Sequence, residues 1–427
     1  MKKFAVLVLA GMLVVVFTMP AAALENVFGG YWRTRLFTNQ NFDGHDKNYD
    51  EGGMGDITRA DTRTRIYYTA ILNDNLKFVN KFEMNATWGN NDSAGQYGDI
   101  GADGVGVQVK NSYVDFTIGA MNAKVGVQGG KLARGFIFDD DFSGAKVTFG
   151  GGGFSFPITW VKAFDEDTPD NKQDVDYFMV SPTFGGGGFT LNPFGMYVFS
   201  DNASTWDKTD VYNDMKMWYA GLEMKINADP LSFWALGVYQ GGEAEWDATK
   251  QDIDINAWMA AGGITVGLGG AADLHGQFIY ATGDEDGLDD EERSNFFVPA
   301  GQSYYWSEIM GLGTFDSQKS KNAPGDKISN IMIGNLGTTI KPTADLKISL
   351  DAWYAALVED MAVGVGDDAS EENELGIEAN VKITYTLVEG LNLDLIGAYL
   401  FAGDVTTMKN DDEADPYEIG TRLSLSF

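Results

Sequence analysis

The sequence predicts an all-β fold: a transmembrane antiparallel β-barrel of eighteen strands, with sixteen as the alternative count. Three observations carry this. Apolar and polar residues alternate with period two in many segments, so each such segment is a strand with one greasy face and one wet face. Short turn-like links alternate with long polar ones, the order expected of short periplasmic turns and long extracellular loops. After the N-terminal stretch, no segment holds the roughly 20 apolar residues that a helical span needs.

The N-terminus is read first. Lys2 and Lys3 precede an apolar stretch from Phe4 to Met19, followed by the small residues Ala21-Ala22-Ala23. This layout predicts a secretory signal peptide, 1–23, and a single barrel domain, 24–427. Composition agrees with export and with strands. Gly numbers 53 and Pro only 10, with 13% aromatics, which suits many strands joined by tight turns. Cys is absent; a closed barrel pairs its backbone groups between strands and needs no crosslink. The formal charge of −32 repels nucleic acid and attracts cations. A hydrophobic fraction of 44% argues against disorder.

Four segments show the alternation clearly. Leu76, Phe78, Phe82, Met84, Ala86 and Trp88 oppose Lys77, Lys81, Glu83, Asn85 and Thr87. Trp218, Ala220, Leu222, Met224 and Ile226 oppose Tyr219, Glu223, Lys225 and Asn227. Leu375, Ile377, Ala379, Val381, Ile383, Tyr385 and Leu387 oppose Glu374, Glu378, Asn380, Lys382, Thr384 and Thr386. At the C-terminus Tyr417, Ile419, Leu423, Leu425 and Phe427 oppose Glu418, Gly420, Arg422, Ser424 and Ser426.

Short links are expected at Asn73-Asp74, Gly150–Gly153, Gly185–Gly188, Asp229-Pro230, Lys341–Thr343 and Glu389-Gly390. Long links are expected at about 38–56, 90–103, 131–143, 165–174, 201–212, 243–252, 282–327, 358–372 and 403–415. Nine long links imply eighteen strands and put both termini in the periplasm. The region 296–315 and the short strands around 123–150 leave sixteen open. Trp88, Trp160, Trp218, Trp234, Trp258 and Tyr417 lie near strand ends, where amphipathic rings would form the two girdles at the headgroup level.

Residues 87–145 carry a family resemblance. Thr87-Trp88-Gly89 is followed by Gly101-Ala102-Asp103-Gly104-Val105, Val109-Lys110 and Tyr113-Val114-Asp115-Phe116. Then come Lys124-Val125-Gly126-Val127-Gln128-Gly129 and Asp139-Asp140-Asp141-Phe142-Ser143-Gly144-Ala145. In this order the blocks resemble the homotrimeric outer-membrane porins of Desulfovibrio-type sulfate-reducing bacteria. The terminal Phe427 is similar to the barrel ending that outer-membrane assembly reads. The resemblance implies a homotrimer of barrels in the outer membrane of a Gram-negative cell, each with its own pore. The stretch Lys131–Phe136 is more basic and bulkier than in such relatives, which bears on pore size and selectivity rather than on the fold.

The informative charges are basic. Of eight Arg, five are Arg33, Arg35, Arg59, Arg63 and Arg65. Arg33 and Arg35 share one strand face; Arg59, Arg63 and Arg65 share another; Lys77 and Lys81 share a third. A charge facing lipid near the midplane costs about 2–4 kcal/mol, so the polar faces must look inward and one lumen wall becomes basic. In trimeric porins generally the third long loop narrows the pore. Here that is 131–143, with Lys131, Arg134, Asp139, Asp140 and Asp141. An Arg ladder facing an acidic loop would set up a transverse field. The alternative is internal pairing of the Arg with Asp61, Glu83 and Asp115.

Acidic stretches such as Asp284-Glu285-Asp286, Asp289–Glu292 and Glu371-Glu372 are screened over about 8 Å. The expectation is an anion-favouring constriction beneath a cation-favouring mouth. No cofactor is expected. Ca²⁺ at the acidic loops is the alternative to a solvated face matching lipopolysaccharide. His45 and His275 are the only His, so no enzyme is expected.

The leading expectation is a passive outer-membrane channel for small hydrophilic solutes and ions. The alternatives are a channel selective for a small anion, an inorganic oxyanion or organic acid; a barrel sheath of an extracellular electron-transfer conduit; and a secreted soluble β protein. Expected partners are copies of the chain, outer-membrane lipid and small solutes, with no nucleic acid.

Overall fold

A computed structural model describes residues 24–46, 55–90, 98–100, 105–165, 174–201, 212–246, 251–285, 291–364 and 369–427. The expected signal peptide lies outside the described residues. So do 286–290 of the acidic stretch.

The described chain closes into a barrel of eighteen antiparallel strands. They are β1 (Glu25–Gln40), β2 (Ile57–Asn73), β3 (Leu76–Thr87), β4 (Val107–Ile118), β5 (Met121–Leu132) and β6 (Phe138–Gly151). Then come β7 (Phe154–Phe164), β8 (Val175–Val180, continued by Thr183–Gly186), β9 (Phe189–Ser200), β10 (Tyr212–Ala228), β11 (Leu231–Trp246) and β12 (Gln251–Gly267). The last six are β13 (Ala272–Ala281), β14 (Ile331–Ile340), β15 (Leu346–Val363), β16 (Ser370–Val388), β17 (Leu391–Ala402) and β18 (Tyr417–Ser426). Ser181-Pro182 interrupts β8, because Pro lacks a ladder donor. Each strand pairs with its sequence neighbours, and β1 pairs with β18 from Tyr31↔Ser426 to Gln40↔Tyr417. Phe427 extends the seam: its carbonyl accepts from Gly30 N at 2.8 Å. A Cβ at Gly30 would lie 2.4 Å from the Phe427 ring, so glycine there makes the seat for the terminal residue.

The outer face is the apolar one. Phe28, Leu36, Phe178, Leu222, Phe278, Leu336, Ile377 and Ile419 are exposed around the wall, as lipid contact requires. Trp88, Trp160, Trp218, Trp258 and Tyr417 also face outward. Trp234 does not. It faces inward and packs against the interior cluster, because strand parity puts it on the same face as Leu236 and Val238. Leu375 departs from its expected face too, and is fully buried. The ladder steps from Ala355↔Gly376 to Ala356↔Glu374, leaving Leu375 as the extra residue of a bulge with Gly376 at φ +130°. A bulge shifts the alternation by one.

The links differ from expectation mainly in length. Turns also occur at 119–120 and 268–271. The third link is a tight tip, 133–137, because β5 and β6 extend through most of 131–143. The seventh link, 282–330, is the long one, and its described residues hold no membrane-crossing strand. Residues 296–315 belong to it, which settles the count at eighteen.

This seventh loop folds into the barrel. Phe296, Ile309, Met310, Ala323 and Ile328 are fully buried. They join one cluster with Tyr177 and Met179 of β8, Met196 and Val198 of β9, Met215, Met217 and Tyr219 of β10, and Ile253 and Met259 of β12. The inward face of these strands is therefore apolar, where the alternation argument expected polar residues. Each such side chain contributes about 1.5–3 kcal/mol by burial, which fixes the loop against that wall.

Candidate pore constriction

The loop is also held by polar contacts around the barrel. Glu378 of β16, fully buried, accepts from the backbone N–H groups of Glu308 at 2.8 Å, Ile309 at 2.9 Å and Met310 at 2.9 Å. Tyr219 donates to the Phe297 carbonyl at 2.8 Å, and Phe297 N donates to Gln240 of β11 at 3.0 Å. Arg35 of β1 donates to the Phe315 carbonyl, while Phe37 stacks on Phe315 with centroids 4.8 Å apart. Lys321 N donates to the Phe42 carbonyl of the first loop at 2.8 Å.

The third tip meets the same loop. Ala133, Arg134 and Gly135 take positive φ, turning the chain inward. A Cβ on Gly135 would sit 2.4 Å from the Ser303 carbonyl, so this crossing requires glycine. Phe136 stacks on Tyr304 at 3.9 Å, and Asp139 N donates to Gly301 at 2.8 Å.

Between the loop and the opposite wall lies a cavity of about 890 Å³. Its wall side carries Arg63 and Arg65 of β2, Lys81 and Glu83 of β3, Lys110 of β4, Lys131 of β5, and Asp139, Asp140, Asp141 and Lys146 of β6. Its loop side carries Ser303, Tyr305, Asp316, Asp326 and Lys327. Seven basic side chains face six acidic ones, so arrangement rather than net charge decides its character. Glu83 is buried and held by Arg65 at 2.6 Å and Arg63 at 3.6 Å. Lys131 pairs with Asp139 at 2.6 Å, Lys110 with Asp141 at 3.0 Å and Lys327 with Asp326 at 3.1 Å. Among the described residues, Lys81 and Lys146 are in no ion pair, and Lys81 lies over the Tyr67 ring at 5.4 Å. Asp316 accepts from Tyr305 at 3.0 Å. Burial first, and the neighbouring Asp316 charge second, push the Tyr305 phenol up to about 12. At neutral pH it is therefore a hydroxyl donor.

Of the residues singled out from sequence, Arg63, Arg65, Lys81, Lys131, Asp139, Asp140 and Asp141 meet in this cavity. Arg33 and Arg35 are buried in the β1 wall. Arg35 pairs with Asp61, its Nε at 2.8 Å from Oδ1. Arg59 is exposed near the first-loop end of β2, and Lys77 is exposed beside the 74–75 turn, so neither reaches the narrowing. Arg134 lines an adjoining cavity of about 430 Å³ with Lys131 and Lys146; it pairs with Glu223 at 3.3 Å and lies over Trp234 at 4.2 Å. The Asp triplet sits on β6 rather than on a loop, where Asp139 pairs with Lys131 and Asp141 with Lys110. Among the described residues no three His, Asp or Glu side chains converge as a metal site.

The loop that folds into the barrel is thus the seventh, and the third tip packs against it. Lys110, Lys146, Tyr305, Asp316, Asp326, Lys327 and Glu378 were not anticipated as site residues. A signal was present: a link this long is uncommon unless it has a job, and Phe296-Phe297-Val298 with Tyr304-Tyr305-Trp306 is too apolar for a solvated loop.

The closed barrel, its lipid-facing band and the loop-narrowed aqueous lumen define an outer-membrane channel of a Gram-negative bacterium, passive and sized for small solutes. The sequence matches the alginate export family over residues 140–421, and the chain belongs to that family. No curated protein sequence matches it. Among solved structures it is similar to the outer membrane protein OpdK of Pseudomonas aeruginosa, with a TM-score of 0.59 and 12% identity over 94% of this chain and 98% of that one. It is similar to OccK9 (OpdG) of the same organism, with a TM-score of 0.58 and 11% identity over 94% and 99%. OccAB3 of Acinetobacter baumannii gives 0.54 and 10% over 94% and 99%. At these identities the likeness concerns the fold.

Proposed function

We propose that this channel favours small anions, organic acids above all, as they pass the seventh loop. One observation carries the reading: Arg63, Arg65, Lys81, Lys110, Lys131 and Lys146 line a single narrowing. In a confined, low-dielectric passage such a row attracts anions more strongly than it would in open water. The unpaired Lys81 and Lys146 are the handholds; the paired Arg63 and Arg65 keep buried Glu83 neutralised. One neighbour of like fold, OpdK, was solved with vanillate, an aromatic carboxylate, which supports this solute class. The acidic mouth would oppose the preference only within about 8 Å at physiological salt. Zero-current potentials across a KCl gradient in planar bilayers test the reading. The wild type should favour chloride, and Lys81→Gln with Lys146→Gln should lose most of that preference. Cation preference that persists in the wild type at both low and high salt overturns it.

The family's description favours a second reading, passage of an acidic polysaccharide. Current block by oligouronates stronger than by benzoate would select it. A conduit sheath is disfavoured, since the folded loop occupies the bore. Assembly of three copies remains part of the proposal on the resemblance at 87–145, and native mass in detergent tests it.

A further inference from the structure

A second cavity, of about 370 Å³, lies beside the first. Tyr305 lines both cavities. The walls of the second are of a different kind. Tyr305 is 46% exposed, and Trp306 and Trp353, which also line the cavity, pack edge to face at 5.5 Å. Gln277, Asn335 and Lys382 complete the polar side.

The hydrogen-bond inventory sets the chemistry. His275 of β13 reaches Asp273 with Nδ1 at 3.0 Å and Asp351 of β15 with Nε2 at 2.9 Å. It crosses over Gly337 of β14, where a Cβ would lie 2.4 Å from Nε2. Both ring nitrogens are thereby committed, and His275 acts by fixing Asp351. Asn335 donates to the same Asp351 oxygen, Oδ1, at 3.1 Å, which leaves Oδ2 as an acceptor. Gln277 accepts from Tyr304 at 3.0 Å, so its amide N–H groups are what it can offer. Lys382 donates to Thr314 at 3.0 Å and retains further donors. Acceptors and donors thus stand together beside aromatic surface. A carboxylate would meet Asp351 and Glu308 there. A hydroxylated ring, whose hydroxyls both donate and accept and whose C–H faces cover aromatic rings, satisfies all of them.

We propose that this cavity is a second station of the channel, a binding site for a neutral monosaccharide-like ring. It rests on the channel reading only for solute access, not for its binding chemistry. Saturation-transfer NMR on the detergent-purified barrel, with D-glucose as probe and acyclic D-mannitol as comparison, tests it without requiring conduction. Saturable transfer to D-glucose, exceeding that to mannitol, is expected. Asp351→Asn should raise the half-saturating concentration about tenfold, as for a lost hydrogen bond to a charged group. Lys382→Met should weaken binding as well, and it guards against Asp351→Asn disturbing the His275 contact or the fold. Absence of transfer to D-glucose, D-galactose and D-mannose in the wild type overturns the proposal, as does unchanged saturation in both variants. Chloride preference without sugar binding sinks this inference alone; sugar binding without chloride preference sinks only the anion reading.

Discussion

Two stretches of the inner wall behave in opposite ways. On β8–β12 the inward residues are mostly Met, Tyr, Val and Ile, and the seventh loop packs its apolar side chains on them. On β2 and β3 they are Arg63, Arg65, Lys81 and Glu83, and a cavity of about 890 Å³ remains. The difference is one of desolvation. Apolar side chains gain by covering each other, whereas charged ones lose hydration if a loop is pressed onto them. One barrel therefore holds a glued side and an open side, and the proposed solute path runs along the open one.

The largest expected effect comes from breaking the loop's fastening. Glu378→Ala orphans three backbone donors, at about 1–3 kcal/mol each. The seventh loop should become open to protease in the folded barrel, and channel currents should turn noisy and larger. A resistant loop with quiet, unchanged current would mean that the apolar contacts alone hold it. Next, Met217→Ala on the glued side removes a fully buried side chain. A cost of about 2–5 kcal/mol is expected, seen as a lower melting temperature and faster loop cleavage. A null result would erase the energetic contrast between the two walls.

The smallest effect is alkaline and belongs to the open side. The Tyr305 phenol titrates near 12 in the folded protein against an ordinary value of 10.0. Between those values the folded state keeps a proton that the unfolded state releases, so stability present below pH 10 is lost as pH rises toward 12. Tyr305→Phe should flatten that decline in denaturant midpoints measured from pH 9 to 12. An equally steep decline in the variant would place its cause elsewhere.

Local rules in the sequence determined much. Period-two alternation determined the strands and their lipid face, the turn residues determined most short links, and the cost of charge in lipid sent Arg63, Arg65 and Lys81 inward. Each depends on near neighbours along the chain, so each can be read without coordinates. Only the tertiary structure decided which loop enters the bore, which of the basic residues meet there, and that Leu375 turns inward. Those outcomes depend on a closed wall bringing β1, β6, β10 and β16 around one loop, and on a bulge one residue long. Alternation along a single strand records neither.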